Sequence, residues 1–148
     1  MTEDFYAAIA KEESRIKDIA QKAVEYAKSL GVDEAEATIG LQKGLSVSTR
    51  KADVENIEFN KNRGLDITVF KNKKRGNAST TDFSADAIKS CVEAAVNLAS
   101  FTDADPCAGI ADKEDLCTEE KDLKLVYPLT EDVDKVLSNG IEWNTVAV

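Results

Sequence analysis

Residues 35–81, AEATIGLQKGLSVSTRKADVENIEFNKNRGLDITVFKNKKRGNASTT, decide the fold because apolar and polar residues alternate along them in short runs. Alternation with a period of two is typical of a β-strand that has one buried face. The runs lie at residues 37–41, 45–49, 57–59 and 65–69, with a weaker one at residues 75–81. We therefore predict a sheet of about five strands.

The runs are separated by residues that favour tight turns. These separators are Gln42-Lys43-Gly44, Lys51-Ala52-Asp53, Lys61-Asn62-Arg63-Gly64 and Asn72-Lys73-Lys74. Glycine, asparagine and aspartate supply the positive φ angles or side-chain hydrogen bonds that hairpins need, so we predict an antiparallel meander. Val54 is out of phase with Ile57 and Phe59, so either Val54 faces solvent or a bulge near Glu55 resets the register.

Helical patterns flank the strands on both sides. Between residues 5 and 30, apolar residues recur mostly at intervals of three, four or seven, which predicts one amphipathic helix ended by Gly31. After candidate N-caps at Thr81, Asp82 and Ser84, a second apolar stripe predicts another helix. Cys91 lies on this stripe, and we interpret it as buried rather than reactive.

These elements predict an α+β fold, a two-layer sandwich in which both helices pack on one face of the meander. The other face of the predicted sheet is polar and open to solvent or to a partner. It carries Thr38, Ser46, Ser48, Asn56, Glu58, Asp66 and Thr68.

The sequence changes character after residue 102, where Pro106 and poorly periodic acidic sequence come after the second helix. We predict an α-β-α N-terminal domain over residues 1–102. Residues 103–148 are predicted to form an acidic connector and the truncated start of the next region of the protein. Within the connector, a short helix is expected over residues 131–137, stopped by Asn139-Gly140.

The net charge of −9 is unevenly distributed along the 148 residues. Residues 43–75 carry nine Lys and Arg against four Asp and Glu, a balance of +5, whereas residues 82–148 carry five against fifteen, a balance of −10. A chain with this overall field repels polyanions, so we expect no direct binding of nucleic acid. Three cysteines without a CxxC pair, and the absence of a signal peptide or long apolar run, predict a cytoplasmic protein that does not enter membranes.

The sequence contains no histidine, which removes the commonest metal ligand and general base. We therefore predict no catalytic, cofactor-binding or metal-binding residue in this chain. Four groups of residues have structural interpretations that we favour over chemical ones. They are the acidic set Asp103, Asp105, Asp112, Glu114 and Asp115 as a solvated connector, Ser79-Thr80-Thr81 as a strand end and helix cap, the basic set Lys71, Lys73, Lys74 and Arg75 as an exposed hairpin end, and Gly40 and Gly44 as a strand kink and a turn.

Five runs of sequence together resemble the N-terminal domain of the TldD/PmbA family, and the PmbA (TldE) branch more than TldD. The likeness spans roughly residues 16–125. The runs are GVDEAE at 31–36, GLSVSTR at 44–50, VENIEFN at 54–60, RGNASTTD at 75–82 and DPCAGIAD at 105–112.

The resemblance implies a bacterial metalloprotease family, linked to microcin maturation, antitoxin degradation and modulation of DNA gyrase. It implies zinc in a TldD-type partner, and no complete site in the PmbA-type subunit. The expected function is thus a non-catalytic domain that helps to assemble a proteolytic chamber, with a TldD-type subunit or a second copy and an unfolded peptide as partners. The alternative is a free-standing adaptor that binds or modulates DNA gyrase.

Overall fold

The computed structural model describes residues 2–116, 119, 121, 123, 125 and 133–146. Its helices are α1 (Thr2–Ser29), α2 (Ala85–Phe101) and α3 (Val133–Val146). Its strands are β1 (Glu34–Arg50), β2 (Asp53–Lys71) and β3 (Lys74–Thr80), which form one sheet in the order β1-β2-β3. The predicted α+β class is confirmed. Among the described helices, none combines the length and the apolar character needed to cross a bilayer.

The prediction of about five strands is wrong, because the described sheet has three. The first two predicted strands are continuous in β1, and the next two are continuous in β2. Strands β1 and β2 are neighbours in the sheet and each continues through its separator, so both separators are extended instead of turning. Gly44 lies close to β2, since a Cβ atom added there would lie 2.6 Å from the side chain of Asn60.

The two remaining separators do form tight turns. Lys51 and Ala52 have φ angles of 51° and 64°, and Asn72 and Lys73 have φ angles of 53° and 61°. Successive residues in the left-handed region match the twist of a two-residue hairpin, although they are strained without glycine. At the second turn, the Asn72 amide donates a 2.6 Å hydrogen bond to the Asp33 carboxylate, which stabilises the strained backbone.

The register of β2 against β3 decides which residues enter the core. The pairs Leu65–Thr80, Ile67–Ala78 and Val69–Gly76 share one face of the sheet, and Asp66–Ser79, Thr68–Asn77 and Phe70–Arg75 share the other. Leu65, Ile67 and Val69 are completely buried on the first face. They pack with the apolar stripes of α1 and α2, whose buried residues include Ala23, Ala27, Val92 and Ala95. Both helices therefore cover one face of the sheet, as predicted.

Helix α2 approaches β3 so closely that only glycine fits at residue 76. A Cβ atom on Gly76 would lie 1.9 Å from the Ala95 carbonyl oxygen and 2.7 Å from the Ala99 nitrogen. Real Cβ atoms do not make contacts this short, so the two backbones can approach this closely only because residue 76 has no side chain. On the α2 side of this contact, the residues next to Gly76 are also small, Ala95 and Ala99.

The predicted end of α1 at Gly31 is confirmed, and of the three candidate N-caps of α2 the structure uses Ser84. Gly31 has a φ of 75° and donates its amide to the Lys28 carbonyl, which ends α1. Ser84 is the N-cap of α2, and its side chain accepts a hydrogen bond from the Ala87 amide. Cys91 is buried in the core, and this burial, together with the charge of Asp66, raises the pKa of its thiol.

The chain divides into two compact units. The first contains residues 1–40 and 63–121, and the second contains residues 41–62 and 122–148. The predicted division at residue 102 stays a prediction.

In the second unit, α3 continues through Asn139 and Gly140, where the sequence predicted a stop. Glycine inside a helix costs only about 1 kcal/mol. The Gly140 carbonyl also accepts a 3.0 Å hydrogen bond from the Thr49 hydroxyl.

Candidate functional site

The Ser79-Thr80-Thr81 run lies at the end of β3 and builds the cap of α2. The Thr80 hydroxyl accepts a hydrogen bond from the Asp82 amide, and the Asp82 carboxylate accepts one from the Ser84 amide at 2.9 Å. Hydrogen bonds from Ser84 to the Asp82 carboxylate hold the pKa of Asp82 below its ordinary value, and the charge of Arg63 makes a smaller contribution in the same direction. The Thr80 hydroxyl and the Asp82 carboxylate both serve the local fold, which agrees with the interpretation of Ser79-Thr80-Thr81 as a strand end and helix cap.

The basic hairpin end between β2 and β3 holds the first part of the acidic sequence against the sheet. We call residues 102–110 the return segment. Four hydrogen bonds tie it down: Asp105 amide to Lys73 carbonyl, Lys73 ammonium to Ala108 carbonyl, Thr102 hydroxyl to Arg75 carbonyl, and Ile110 amide to Glu34 carboxylate. The acidic residues at 103 and 105 are therefore part of an ordered contact, and solvation alone does not describe them.

The return segment borders the sheet face that was predicted to be polar and open. On that face Thr68 and Phe70 are buried, and the Asn77 amide group donates a 3.0 Å hydrogen bond to the Thr68 hydroxyl. The prediction that Thr68 is open is therefore wrong. A shallow pocket beside Phe70 has both charge signs in its lining: Lys73 and Arg75 with Glu36, Asp103 and Asp105. The opposing charges offset each other, so the basic run offers no strong anion site here.

Metal chemistry finds no support in the described residues. They contain no group of three or more His, Cys, Asp or Glu side chains that could hold a metal ion. The whole chain also lacks histidine. The resemblance implies zinc in a TldD-type partner and not in this chain, so we derive no step through a metal here.

The second unit exposes apolar side chains on its two strands. We call residues 41–62 the hairpin tip. Its exposed large apolar residues are Leu41, Val54, Ile57 and Phe59, and Phe59 is 67% exposed. The alternation predicted that Ile57 and Phe59 face a core, and this expectation is wrong because both side chains are exposed. The pattern identified which face of the strand is apolar, but it did not show whether that face is buried.

Two lysines and two apolar side chains meet in a pocket on the hairpin tip. We call it the hairpin pocket, and its lining residues are Lys43, Gly44, Leu45, Phe59, Asn60 and Lys61. Its volume is about 410 Å³ and its surface is mostly apolar. The Asn60 side-chain oxygen is buried without a hydrogen-bond partner.

Sequence reasoning missed this surface, although a weak signal was present. The run ENIEFNKN at residues 55–62 surrounds its two large apolar residues with charged and amide side chains. By contrast, LDITVF at residues 65–70 is apolar on both sides of the strand near its end, and it is the part that becomes buried on both faces. The density of polar neighbours distinguishes the two segments, whereas the period of two does not.

Comparison with known proteins gives consistent matches in sequence. Residues 35–99 match the family model described as PmbA/TldA metallopeptidase domain 1. The chain is 42% identical over 124 residues to Metalloprotease PmbA of Escherichia coli O157:H7, which covers 82% of this chain and 28% of that protein. It is 36% identical over 146 residues to the Metalloprotease PmbA homolog of Haemophilus influenzae, which covers 99% of this chain and 32% of that protein. The chain thus spans about 30% of the length of these curated relatives.

Solved structures share the fold at low sequence identity. TldE from Thermococcus kodakarensis superposes with a TM-score of 0.54 at 16% identity, covering 60% of this chain and 20% of that one. A Bacteroides thetaiotaomicron protein described as a candidate modulator of DNA gyrase gives a TM-score of 0.64 at 19% identity, covering 71% of this chain and 24% of that one.

Proposed function

We propose, on the premise that this chain carries an N-terminal domain of the PmbA/TldD family, that it acts as the non-catalytic first domain of a PmbA-like subunit. In this role it helps to assemble a proteolytic chamber together with a TldD-type subunit that supplies the zinc site. Peptides are the substrates of the assembly. The observation that carries the proposal is the hairpin tip, whose large apolar residues are exposed. The part of the chain that the structure describes holds no group of three or more His, Cys, Asp or Glu side chains suited to a metal ion.

Exposed apolar side chains in one place are typical of a surface that binds another protein. Single exposed apolar residues are ordinary, but the hairpin tip holds four large ones within 22 residues. The tip is also part of a long edge strand, because β1 is at the end of the order β1-β2-β3. An edge strand offers main-chain hydrogen bonds to an extended peptide with little regard to its sequence, which suits a protease of broad specificity.

The gyrase-binding alternative has less support. The protein named for gyrase modulation is 19% identical to this chain, and a likeness at this level shows a common fold. The fold alone carries no argument for a gyrase contact.

The proposal is tested by mixing the purified chain with a TldD-type subunit and measuring the mass of the product by light scattering. We expect a complex, and we expect the double substitution Val54→Ser and Ile57→Ser to weaken it about tenfold, which corresponds to the loss of about 1.4 kcal/mol. The double substitution Leu98→Ser and Phe101→Ser removes two exposed apolar residues of α2 and is the matched control.

Absence of a complex, or equal weakening by both pairs of substitutions, would contradict the proposed role of the hairpin tip.

A further inference from the structure

We propose that the outer edge of β3 binds an extended peptide through main-chain hydrogen bonds at Asn77 and Ser79. The inference rests on the proposed function and deepens it by naming where the peptide is held. Because β3 is at the other end of the order β1-β2-β3, one side of this strand has no neighbouring strand among the described residues. Three features support the proposal: the direction of the main-chain groups, the limits of the open edge and the nature of its side chains.

The register of β2 against β3 determines which main-chain groups of β3 point outward. Lys71 and Lys74 flank the two-residue turn and form a hydrogen-bonded pair, and bonded and non-bonded pairs then alternate along the antiparallel ladder. The non-bonded pairs are Phe70–Arg75, Thr68–Asn77 and Asp66–Ser79. The main-chain N–H and C=O groups of Asn77 and Ser79 therefore point away from β2.

Two observed hydrogen bonds agree with these directions. The Arg75 carbonyl accepts a 3.0 Å hydrogen bond from the hydroxyl of Thr102, which lies outside the sheet. The Phe70 carbonyl, on the other strand of the same pair, accepts a 2.8 Å hydrogen bond from the Asp33 amide. Both carbonyls thus point away from the ladder between β2 and β3, as a non-bonded pair requires.

The open part of the edge is limited at both ends. The return segment occupies one end, and at the other end the Thr81 carbonyl accepts a 2.9 Å hydrogen bond from the Arg63 side chain. Between these ends, Asn77 and Ser79 are exposed, and within the described residues their main-chain N–H and C=O groups have no hydrogen-bond partner. The edge therefore presents two donors and two acceptors.

The spacing of these groups is that of a β-ladder. Residues two apart in a strand are separated by about 7 Å, and an added strand presents its own donors and acceptors with the same repeat. An extended peptide can thus pair with both residues at once, whereas a compact ligand cannot.

The side chains along this part of β3 leave the edge able to pair. Natural edge strands avoid pairing with other chains by means of charged residues, proline or bulges. Residues 76–80, GNAST, contain no charge and no proline, and their one-to-one register against β2 has no bulge. The charged residues of β3, Lys74 and Arg75, lie beside the turn. Because recognition uses main-chain groups, it depends little on the sequence of the peptide.

The test is a titration of the isotope-labelled 148-residue protein with a peptide, followed by NMR of the backbone amides. The probe is an end-blocked decapeptide in which four Ser-Val repeats lie between a lysine and a glutamate. We expect the amide signals of Asn77 and Ser79 to shift most, and those of the hairpin tip to stay unchanged. A peptide with the same residues in another order should bind with an affinity within about twofold.

Two changes remove the proposed hydrogen bonds, one on each molecule. N-methylation of the four central residues of the peptide removes their donors and should weaken binding at least about tenfold. Ser79→Pro removes one outward N–H of the protein and should weaken binding by a similar factor. Proline is tolerated at an edge position whose N–H does not pair with the neighbouring strand.

Ser79→Ala is the matched control, because it retains the main-chain N–H and should bind like the parent. Equal binding by the Ser79→Pro and Ser79→Ala proteins would overturn the inference. An N-methylated peptide that binds as tightly as the unmodified one would also overturn it, and this comparison uses the unaltered protein and so does not depend on the folding of a variant.

The outcome is distinguishable from failure of the proposed function. Signals that shift only along β1 would overturn this inference and leave the proposed function intact. Complex formation with a TldD-type subunit without peptide binding at β3 would also overturn only the inference. Peptide binding at β3 without complex formation would support the inference and contradict the assembly role.

Discussion

Strand β2 contains two alternating segments that have opposite environments. Ile67 is 0% exposed and Phe70 is 7% exposed, whereas Ile57 is 40% exposed and Phe59 is 67% exposed. All four belong to one continuous strand. The comparison shows that an alternating pattern specifies which side of a strand is apolar, but that burial depends on whether another element covers that side.

Different elements cover the buried segment on its two faces. The stripes of α1 and α2 pack on the face that contains Ile67, and the return segment lies beside Phe70 on the other face. In the hairpin tip, Phe59 is 67% exposed. The exposed apolar residues of the tip are therefore available for another molecule, which is the basis of the proposed assembly role.

The largest expected difference between the two segments comes from a matched pair of isoleucines. Ile67→Ala should lower the free energy of unfolding by about 3 kcal/mol, because it removes buried carbon atoms and leaves a cavity. Ile57→Ala should lower it by less than about 1 kcal/mol, because the side chain is already exposed. Urea unfolding followed by circular dichroism measures both, and equal losses would contradict the comparison.

Two glycines provide the next test, which probes packing without removing any atom. Gly76→Ala should cost about 2 kcal/mol, since its methyl group would overlap the Ala95 carbonyl. Gly64→Ala has nothing within 4 Å of the new Cβ and should change stability by less than about 1 kcal/mol, with a small gain expected from the stiffer unfolded chain. The same urea experiment applies. A Gly76→Ala protein as stable as the parent would show that α2 does not approach β3 as closely as described.

The N-cap of α2 provides a third test, because α2 packs on the buried segment of β2. Ser84→Ala removes the acceptor for the Ala87 amide and should cost about 1 kcal/mol. Ser90→Ala, at an exposed interior position of α2, should be neutral or slightly stabilising. Thermal unfolding by calorimetry distinguishes the two, and a similar loss in both proteins would argue against a specific cap.

The smallest expected effect is a pH dependence of the free energy of unfolding, which comes from Cys91 in the core beside the buried segment of β2. Because burial raises the pKa of Cys91, the neutral thiol is favoured in the folded protein, and its contribution is complete below the unfolded pKa of about 8.5. As the pH rises through this value towards the folded pKa, that contribution is lost and stability falls. Comparing urea unfolding at neutral and alkaline pH should show a smaller alkaline loss for Cys91→Ala than for the parent. The matched change at the exposed Cys107, Cys107→Ala, should leave the alkaline loss intact.

Much of the fold was predictable because it depends on local interactions. The stop of α1 at Gly31 and the cap at Ser84 are each determined by residues close in sequence. The number of strands was not predictable in the same way. Gly44 and the Asn62-Arg63-Gly64 run have the composition of turns, but β1 and β2 pair with each other there, and pairing between distant residues overrides a local preference.

The candidate site shows the same division more strongly. The sequence alone determined the absence of histidine, the alternating faces, the positions of both main helices and the resemblance to the PmbA/TldD family. Only the tertiary structure decided that residues 102–110 return to the sheet, that Phe70 is buried and that Phe59 is exposed. The physical reason is that burial results from contacts between segments far apart in the chain, and no periodicity within one segment records whether its partner is present.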